Sequence, residues 1–241
     1  MENAVKHPSL DARLSLAASF VRPGSVVCDV GTDHAYLPIW LLTHGVCPRA
    51  VVCDINEGPL NSAREHAAHY GCMSRMSFYR ADGLNGIDLA AENIDDIVIC
   101  GMGGELIARI LAEAEYSRRP GVRGILQPMS SAEDLRASLA KDGYRIEDER
   151  LAMAAGRVYT CLSVVYDGVQ RTFSPAELVL GEAHIHRGKA AGALFDEHLR
   201  RMIRGVQKRC RGLESGGHDA AAELTLLAEL CAIAEKEGVS L

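Results

Sequence analysis

The stretch Val26-Val27-Cys28-Asp29-Val30-Gly31-Thr32-Asp33-His34-Ala35-Tyr36-Leu37-Pro38 decides how this chain is read. Small apolar residues run into an acid, a glycine, a second acid and the beginning of a helical pattern, which marks a buried strand ending in a ligand loop. Ligands of open α/β sheets sit at the carboxyl ends of the strands, so this loop is where a bound molecule is expected.

The same arrangement recurs downstream. A second strand over 49–55 ends at Asp54 and Ile55, a third over 77–81 leads to Asp82 and Gly83, and a fourth over 95–100 leads into Gly101-Met102-Gly103-Gly104. Each delivers acids or glycines at the same end. Helices are predicted over 35–43, over 59–70 with Pro59 in the first turn and Gly71 at the end, and over 105–118. A fifth strand over 123–129 ends at Gln127-Pro128, a helix follows over 131–142, and strands over 145–153 and 157–166 flank Gly156. Upstream, Leu10, Leu14, Ala17, Ala18 and Val21 keep helical spacing before Pro23-Gly24, which leaves Arg13 on the polar side of that helix. Strands alternating with helices predict an α/β fold, a doubly wound parallel sheet with a late antiparallel hairpin.

Residues 167–175 are polar and turn-rich, and they divide the chain into a domain over 1–168 and a helical tail over 169–241. In the tail, Phe195, Leu199, Met202, Val206 and Leu213 precede Ser215-Gly216-Gly217, after which Leu224, Leu227, Leu230 and Ala234 resume the pattern. Two antiparallel helices in a small coiled-coil hairpin are expected, with Gly205 and Gly212 weakening the first. Arg200, Arg201, Arg204, Lys208, Arg209 and Arg211 form a run without an acid, either an RNA-binding surface or simply a solvated helix face.

The chain of 241 residues is 48% hydrophobic and 24% charged, an ordinary globular balance. Its formal charge of −6 repels phosphate on average, so a nucleic-acid partner needs a local basic patch. No signal-like run and no membrane-length apolar window occurs, which predicts a cytoplasmic protein with no membrane partner. The eight cysteines include no Cys-x-x-Cys pair, and Cys28, Cys53, Cys100 and Cys161 fall in apolar strands, so they read as reduced core residues. His66, His69 and Cys72 share a helical spacing without a fourth ligand; a polar helix face is expected there and no metal.

The order Gly31-x-Asp33 departs from the dinucleotide fingerprint, in which a second glycine lets the backbone approach a pyrophosphate. An acid at that place repels NAD or FAD, and no phosphate-binding Gly-x-x-x-x-Gly-Lys-[Ser/Thr] loop is present. S-adenosylmethionine suits three strand-end acids better: a ribose for Asp54, an adenine for Asp82, and a cationic amino-acid end balanced by Asp29. The plainer readings are helix capping for Asp29 and Asp33, a turn at Asp82-Gly83, and helix-to-sheet packing for the glycines.

The motif from Asp29 to Pro38, Gly101-Met102-Gly103-Gly104 followed by Glu105-Leu106-Ile107, Leu126-Gln127-Pro128 and the coiled-coil tail together resemble the bacterial tRNA (adenine-22-N1)-methyltransferase family over nearly the whole chain. That resemblance implies a Rossmann-like class I methyltransferase domain, S-adenosyl-L-methionine as cofactor, and methyl transfer to N1 of an adenine in the D-arm region of tRNA. The cofactor residues are then Asp29, Gly31, Asp54, Ile55, Asp82, Gly83, Gly101, Met102 and Gly103. Asp33 stabilises the cation that N1 methylation creates, while His34 and Tyr36 contact or stack on the base. Arg13, Arg200, Arg201, Arg204, Lys208 and Arg209 are the candidate RNA-binding residues, and a monomer or weak homo-oligomer is expected. The Asn/Asp-Pro-Pro-aromatic turn usual in exocyclic-amine methylation is replaced by Gly101 to Gly104, which fits a ring nitrogen as acceptor. Two alternatives are a same-fold enzyme acting on another RNA or a small molecule, and a non-catalytic module that binds S-adenosylmethionine or RNA.

Overall fold

The computed structural model describes residues 7–32 and 34–241. Helix α1 (Ala12–Phe20) precedes an alternation of β1 (Val27–Val30), α2 (Tyr36–Thr43), β2 (Ala50–Asp54), α3 (Glu57–His69), β3 (Met76–Arg80), β4 (Asp96–Gly103), α4 (Gly104–Glu113), β5 (Arg123–Ser130) and α5 (Ala132–Lys141). The hairpin β6 (Tyr144–Ala154) and β7 (Arg157–Tyr166) completes a seven-stranded sheet in the order β3-β2-β1-β4-β5-β7-β6. The first five strands are parallel, and β7 runs antiparallel to both β5 and β6.

Strand β1 lies between β2 and β4 with helices on both faces, which is why it reads as an unbroken apolar run rather than an alternation. Period-two geometry splits its side chains between two cores. Cys28, Val30, Val51, Cys53, Ile97 and Ile99 pack with Ile107 and Leu111 of α4 and Leu135 and Leu139 of α5. Val27, Ala50, Val52 and Val98 pack with Ala17 of α1, Leu41 of α2 and Leu60 and Ala63 of α3. Six cysteines are buried and the other two half-buried, all as free thiols, as expected.

The structure differs from the sequence reading at three elements. The glycine-rich segment after Cys100 is not a free loop, because β4 continues through Gly103 with irregular pairing to β5 at Cys100, Met102 and Gly103. The helix expected over 105–118 stops at Glu113, and a 3-10 turn covers Glu115–Arg118. The tail holds two short helices, α6 (Pro175–Leu180) and α7 (Glu182–Arg187), before the hairpin of α8 (Leu194–Ser215) and α9 (Ala221–Lys236).

A capping box starts α6: Ser174 Oγ accepts from the Glu177 N–H, and a Glu177 carboxylate oxygen accepts from the Ser174 N–H at 2.7 Å. Leu199, Ile203, Val206 and Cys210 of α8 meet Leu226, Leu230 and Ala234 of α9 in a third core. The tail is docked on the sheet domain. Arg136 of α5 and Glu149 of β6, each only 1% exposed, form an ion pair at 2.6 Å. Thr160 donates its hydroxyl to Glu149, and Arg136 donates to the Leu178 carbonyl of α6. His184 of α7 lies 3.7 Å from the same carboxylate.

Candidate active site

The loop after β1 is tied to the end of β2, since the Gly31 N–H donates to the Cys53 carbonyl at 2.9 Å. Gly31 has φ +73, and His34 and Ala35 follow with φ 65 and 55, a left-handed pair that costs non-glycine residues strain. The His34 carbonyl lies 3.1 Å from His66 Nδ1, which anchors the turn to α3. The rings of Tyr36 and His66 stack at 5.0 Å, and His34 lies 5.5 Å from Tyr36 and 5.3 Å from His66. His34 and Tyr36 therefore come together. His66, read from sequence as part of a polar helix face, completes their cluster; its spacing of three from buried Ala63 was the available signal. Asp33 lies outside the described residues.

Asp29, Asp54 and Asp82 belong to three neighbouring strands in a staggered arrangement: Asp29 lies inside β1 level with Val52, Asp54 closes β2, and Asp82 follows β3 by two residues. The Asp29 carboxyl is buried, and burial pushes its pKa up to about 6, with the Thr32 hydroxyl opposing that push and the Asp54 charge adding to it. Asp54 accepts from the Asn56 N–H at 2.7 Å, and Ile55 beside it is 55% exposed, an apolar surface at the sheet edge. Asp82 is held by Arg109 at 3.1 Å, and the same guanidinium reaches Glu113 at 3.2 Å. That partner has no signature in the sequence pattern. Gly83 has φ +62 and packs so closely that a Cβ would stand 3.0 Å from Ile110 Cγ1.

On the other side of β1, Met102 leans over Gly31, where a Cβ would fall 1.8 Å from its terminal methyl, and Gly101 has φ +82 beneath Arg13. Gly103 differs from these: its Cβ position faces Ser130 Oγ at 3.4 Å, toward β5 and not toward the acids. Gly104 serves close packing, because a Cβ there would meet the Ser131 carbonyl at 2.1 Å. A cavity of about 400 Å³ opens at this edge, bounded by Arg13, Asp29, Gly31, Tyr36, Gly101 and Met129 among others. Arg13 is fixed across it by Gln127, whose carbonyl oxygen accepts at 2.7 Å, and by Asp11 at 3.2 Å. Gln127 is itself buried and donates to the Pro128 carbonyl at 2.8 Å.

The basic run of α8 divides by face. At 3.6 residues per turn, Arg200, Arg201, Arg204, Lys208 and Arg211 fall within an arc of about 100°, opposite the buried Leu199, Ile203, Val206 and Cys210. Arg209 sits on the flank and pairs with Glu223 of α9 at 3.1 Å. Arg200 pairs with Asp196 at 3.8 Å and Arg204 with Glu197 at 3.1 Å, while Lys208 and Arg211 have no ion-pair partner among the described residues. Arg201 donates to the Val158 carbonyl at 3.0 Å, and the neighbouring Tyr159 ring lies 5.8 Å below the Arg13 guanidinium. The start of β7 thus joins the basic face to the cavity.

A model of the methyltransferase domain matches residues 10–162. The tRNA (adenine(22)-N(1))-methyltransferase of Bacillus subtilis is 34% identical over 167 residues, 66% of this chain and 69% of that protein. The crystal structure of the B. subtilis m1A22 tRNA methyltransferase TrmK superposes with a TM-score of 0.75 at 29% identity, covering 95% of this chain and 97% of that one. A Streptococcus pneumoniae structure in complex with S-adenosyl-L-methionine gives a TM-score of 0.80 at 30% identity, covering 93% of this chain and 99% of that one. Both structural matches extend through the tail as well as the sheet. With a domain match over more than half its length and this sequence relative, the chain belongs to the tRNA (adenine(22)-N(1))-methyltransferase family of methyltransferase-domain proteins.

Proposed function

We propose that this protein transfers a methyl group from S-adenosylmethionine to N1 of an adenine in tRNA, at the position numbered 22 in its relatives. The observation that carries the reading is the buried Asp29 in the wall of a cavity shared with Tyr36 and Arg13, with Asp54 and Asp82 at and just past the ends of the next two strands. The cofactor supplies an electrophilic methyl group on a sulfonium. Its cationic amino-acid end suits the Asp29 carboxylate, a ribose hydroxyl suits the free oxygen of Asp54, and Ile55 offers an apolar face to an adenine. Asp82 reaches the adenine amino group by exchanging its contact with Arg109. Gly31 and Gly101 both take positive φ; at Gly31 the space of a side chain is taken by the Met102 methyl, so Met102 packs onto the loop backbone beside the cavity, while Gly103 supports the strand pairing instead.

N1 of adenine lies on the pairing edge, so the base must leave the stack to enter the cavity. Tyr36, His34 and His66 form an aromatic platform on which a flat base stacks. Alignment of donor and acceptor does most of the catalytic work, as an in-line displacement requires. The N1 lone pair forms the new bond, the bond from sulfur to methyl breaks, and the base becomes a cation that the Asp33 carboxylate stabilises. Residues 1–168 carry this chemistry. Residues 169–241 hold the RNA through the basic face of α8, continued by Arg13 at the cavity. Among the described residues no helix is long and apolar enough to cross a membrane; we take the enzyme to work in the cytoplasm as a monomer or weak homo-oligomer.

The test is a tRNA transcript incubated with the protein and methyl-labelled S-adenosylmethionine, digested to nucleosides and separated. Label in 1-methyladenosine is expected. Label in no tRNA nucleoside, while the protein still binds the cofactor, overturns the reading.

A further inference from the structure

A second groove, of about 480 Å³, lies in the seam between α1, β6 and the first part of the tail, lined by Leu16, Asp148, Arg150, His184, Arg187 and Ala191 among others. Arg150 of β6 pairs with Asp148 at 2.7 Å. Arg187 of α7 reaches the same carboxylate from the tail and donates to the Glu149 carbonyl at 2.8 Å. Two guanidinium groups thus share one carboxylate and leave the lining positive. His184 is 1% exposed, yet among the described residues neither of its ring nitrogens has a hydrogen-bond partner. Its nearest acid is Glu149, at 3.7 Å and already engaged by Arg136 and Thr160.

A buried polar nitrogen left without a partner destabilises the fold, so such a group lining an open groove points to a ligand. Burial lowers the His184 pKa below its usual value, with nearby Arg136 and Arg187 adding to the effect and Glu149 and Asp148 opposing it. The imidazole is therefore neutral near pH 7 and offers one N–H donor. Two guanidinium forks and one N–H donor complement a tetrahedral oxyanion, and the positive lining rejects a metal cation. Leu16 and Ala191 add no competing polar group. Leu16 stands three residues from Arg13 on α1, so the groove begins about 5 Å along the helix axis from the candidate active site.

We propose that Arg150, Arg187 and His184 form a binding site for a backbone phosphate of the tRNA in the seam between α1, β6 and α7; the assignment rests on the tRNA reading above. A nucleotide extruded into the cavity at Arg13 carries its neighbouring phosphates within reach of this seam. The RNA is then held on two sides, by α8 and by the seam.

The test uses the full-length protein and unmodified tRNA, with binding measured at several salt concentrations. Arg150→Gln is the primary variant, because its side chain is half exposed and, among the described residues, pairs with Asp148 and lies over the Phe20 ring. Arg187→Gln is the second, and Arg150→Lys keeps the charge. Each glutamine variant is expected to weaken tRNA binding about 3- to 10-fold and to reduce the salt slope by about 1, with S-adenosylmethionine affinity unchanged and partial recovery in Arg150→Lys. Unchanged tRNA affinity and salt slope in Arg150→Gln overturn the site while leaving the enzyme's function intact. Inorganic phosphate that raises the melting temperature of the unaltered protein but not of Arg150→Gln, with tRNA binding unaffected, assigns the groove to a free anion and overturns the RNA assignment. Failure of the unaltered protein to bind any tRNA overturns the functional reading and this site together.

Discussion

Asp29 is the residue whose environment bears most directly on cofactor binding. Burial raises its pKa to about 6, so in the free protein the fold favours the protonated acid. By linkage, the stability this group adds is fully present below the unfolded value near 3.8 and is lost as pH rises through about 6. A cationic ligand acts in the opposite sense, because it binds the carboxylate. S-adenosylmethionine affinity, measured by calorimetry from pH 5 to pH 8, is expected to fall about tenfold per pH unit once the pH is well below 6. Asp29→Asn should bind weakly with a flat profile; a sloping profile in that variant would remove Asp29 from the role. The three acids and Tyr36 were legible because each acid lies in or just past the end of an apolar strand run and Tyr36 opens a helix. Arg109 at Asp82 and His66 at Tyr36 were not, since each arrives from a helix whose rotation is set by packing rather than by its own pattern.

At the scale of elements, buried parallel strands announce themselves as apolar runs, and their alternation with helices gave the doubly wound parallel sheet with its late hairpin, while the order of the strands came only with the structure. The overrun of β4 through Gly103 was hidden, because it depends on pairing with β5 and not on the residues of β4. Helices α6 and α7 have six residues each, too few for a periodic signal, although Ser174-Pro175-Ala176-Glu177 did carry a capping-box pattern. Gly205 in α8 takes helical geometry, and no atom stands within 4 Å of where its Cβ would be. Gly205→Ala is therefore expected to stabilise the protein by about 0.5–1 kcal/mol in a urea titration. A loss of stability would mean that the surface beside Gly205 is occupied in the folded protein.

For the whole molecule, the buried Arg136–Glu149 pair lies within the sheet domain and holds the tail through its outer contacts, Arg136 donating to the Leu178 carbonyl of α6 and Glu149 facing His184 of α7. Removing one partner leaves an uncompensated buried charge, so Arg136→Met should cost about 3–5 kcal/mol by denaturant unfolding, and adding Glu149→Leu should restore most of it. A cost below about 1 kcal/mol would show that the pair is not buried in solution. Deleting the tail to test its RNA role would expose this pair, so charge changes at Lys208 and Arg211 separate binding from folding more cleanly. The same junction predicts acid sensitivity. Burial lowers the pKa of both His184 and His198, the latter to about 3, so their contribution is fully present above the unfolded value of 6.5 and is lost as pH falls. Glu149, also held below its usual range against the upward push of burial, chiefly by Arg136, adds a loss in the same direction below about pH 4.5. The melting temperature should fall steadily from pH 6.5 to pH 5, and a constant value across that interval would contradict the placement of the two histidines.

The claim that joins these scales is methyl transfer to N1 of a single adenine in tRNA. Two tRNA transcripts that differ only in adenine or guanine at position 22 test it most directly, each incubated with the protein and S-adenosylmethionine and then mapped by reverse transcription, which 1-methyladenosine blocks. The account predicts a block at position 22 in the adenine transcript and none in the guanine transcript. Equal blocks in both, or a block elsewhere that ignores the change, would contradict it.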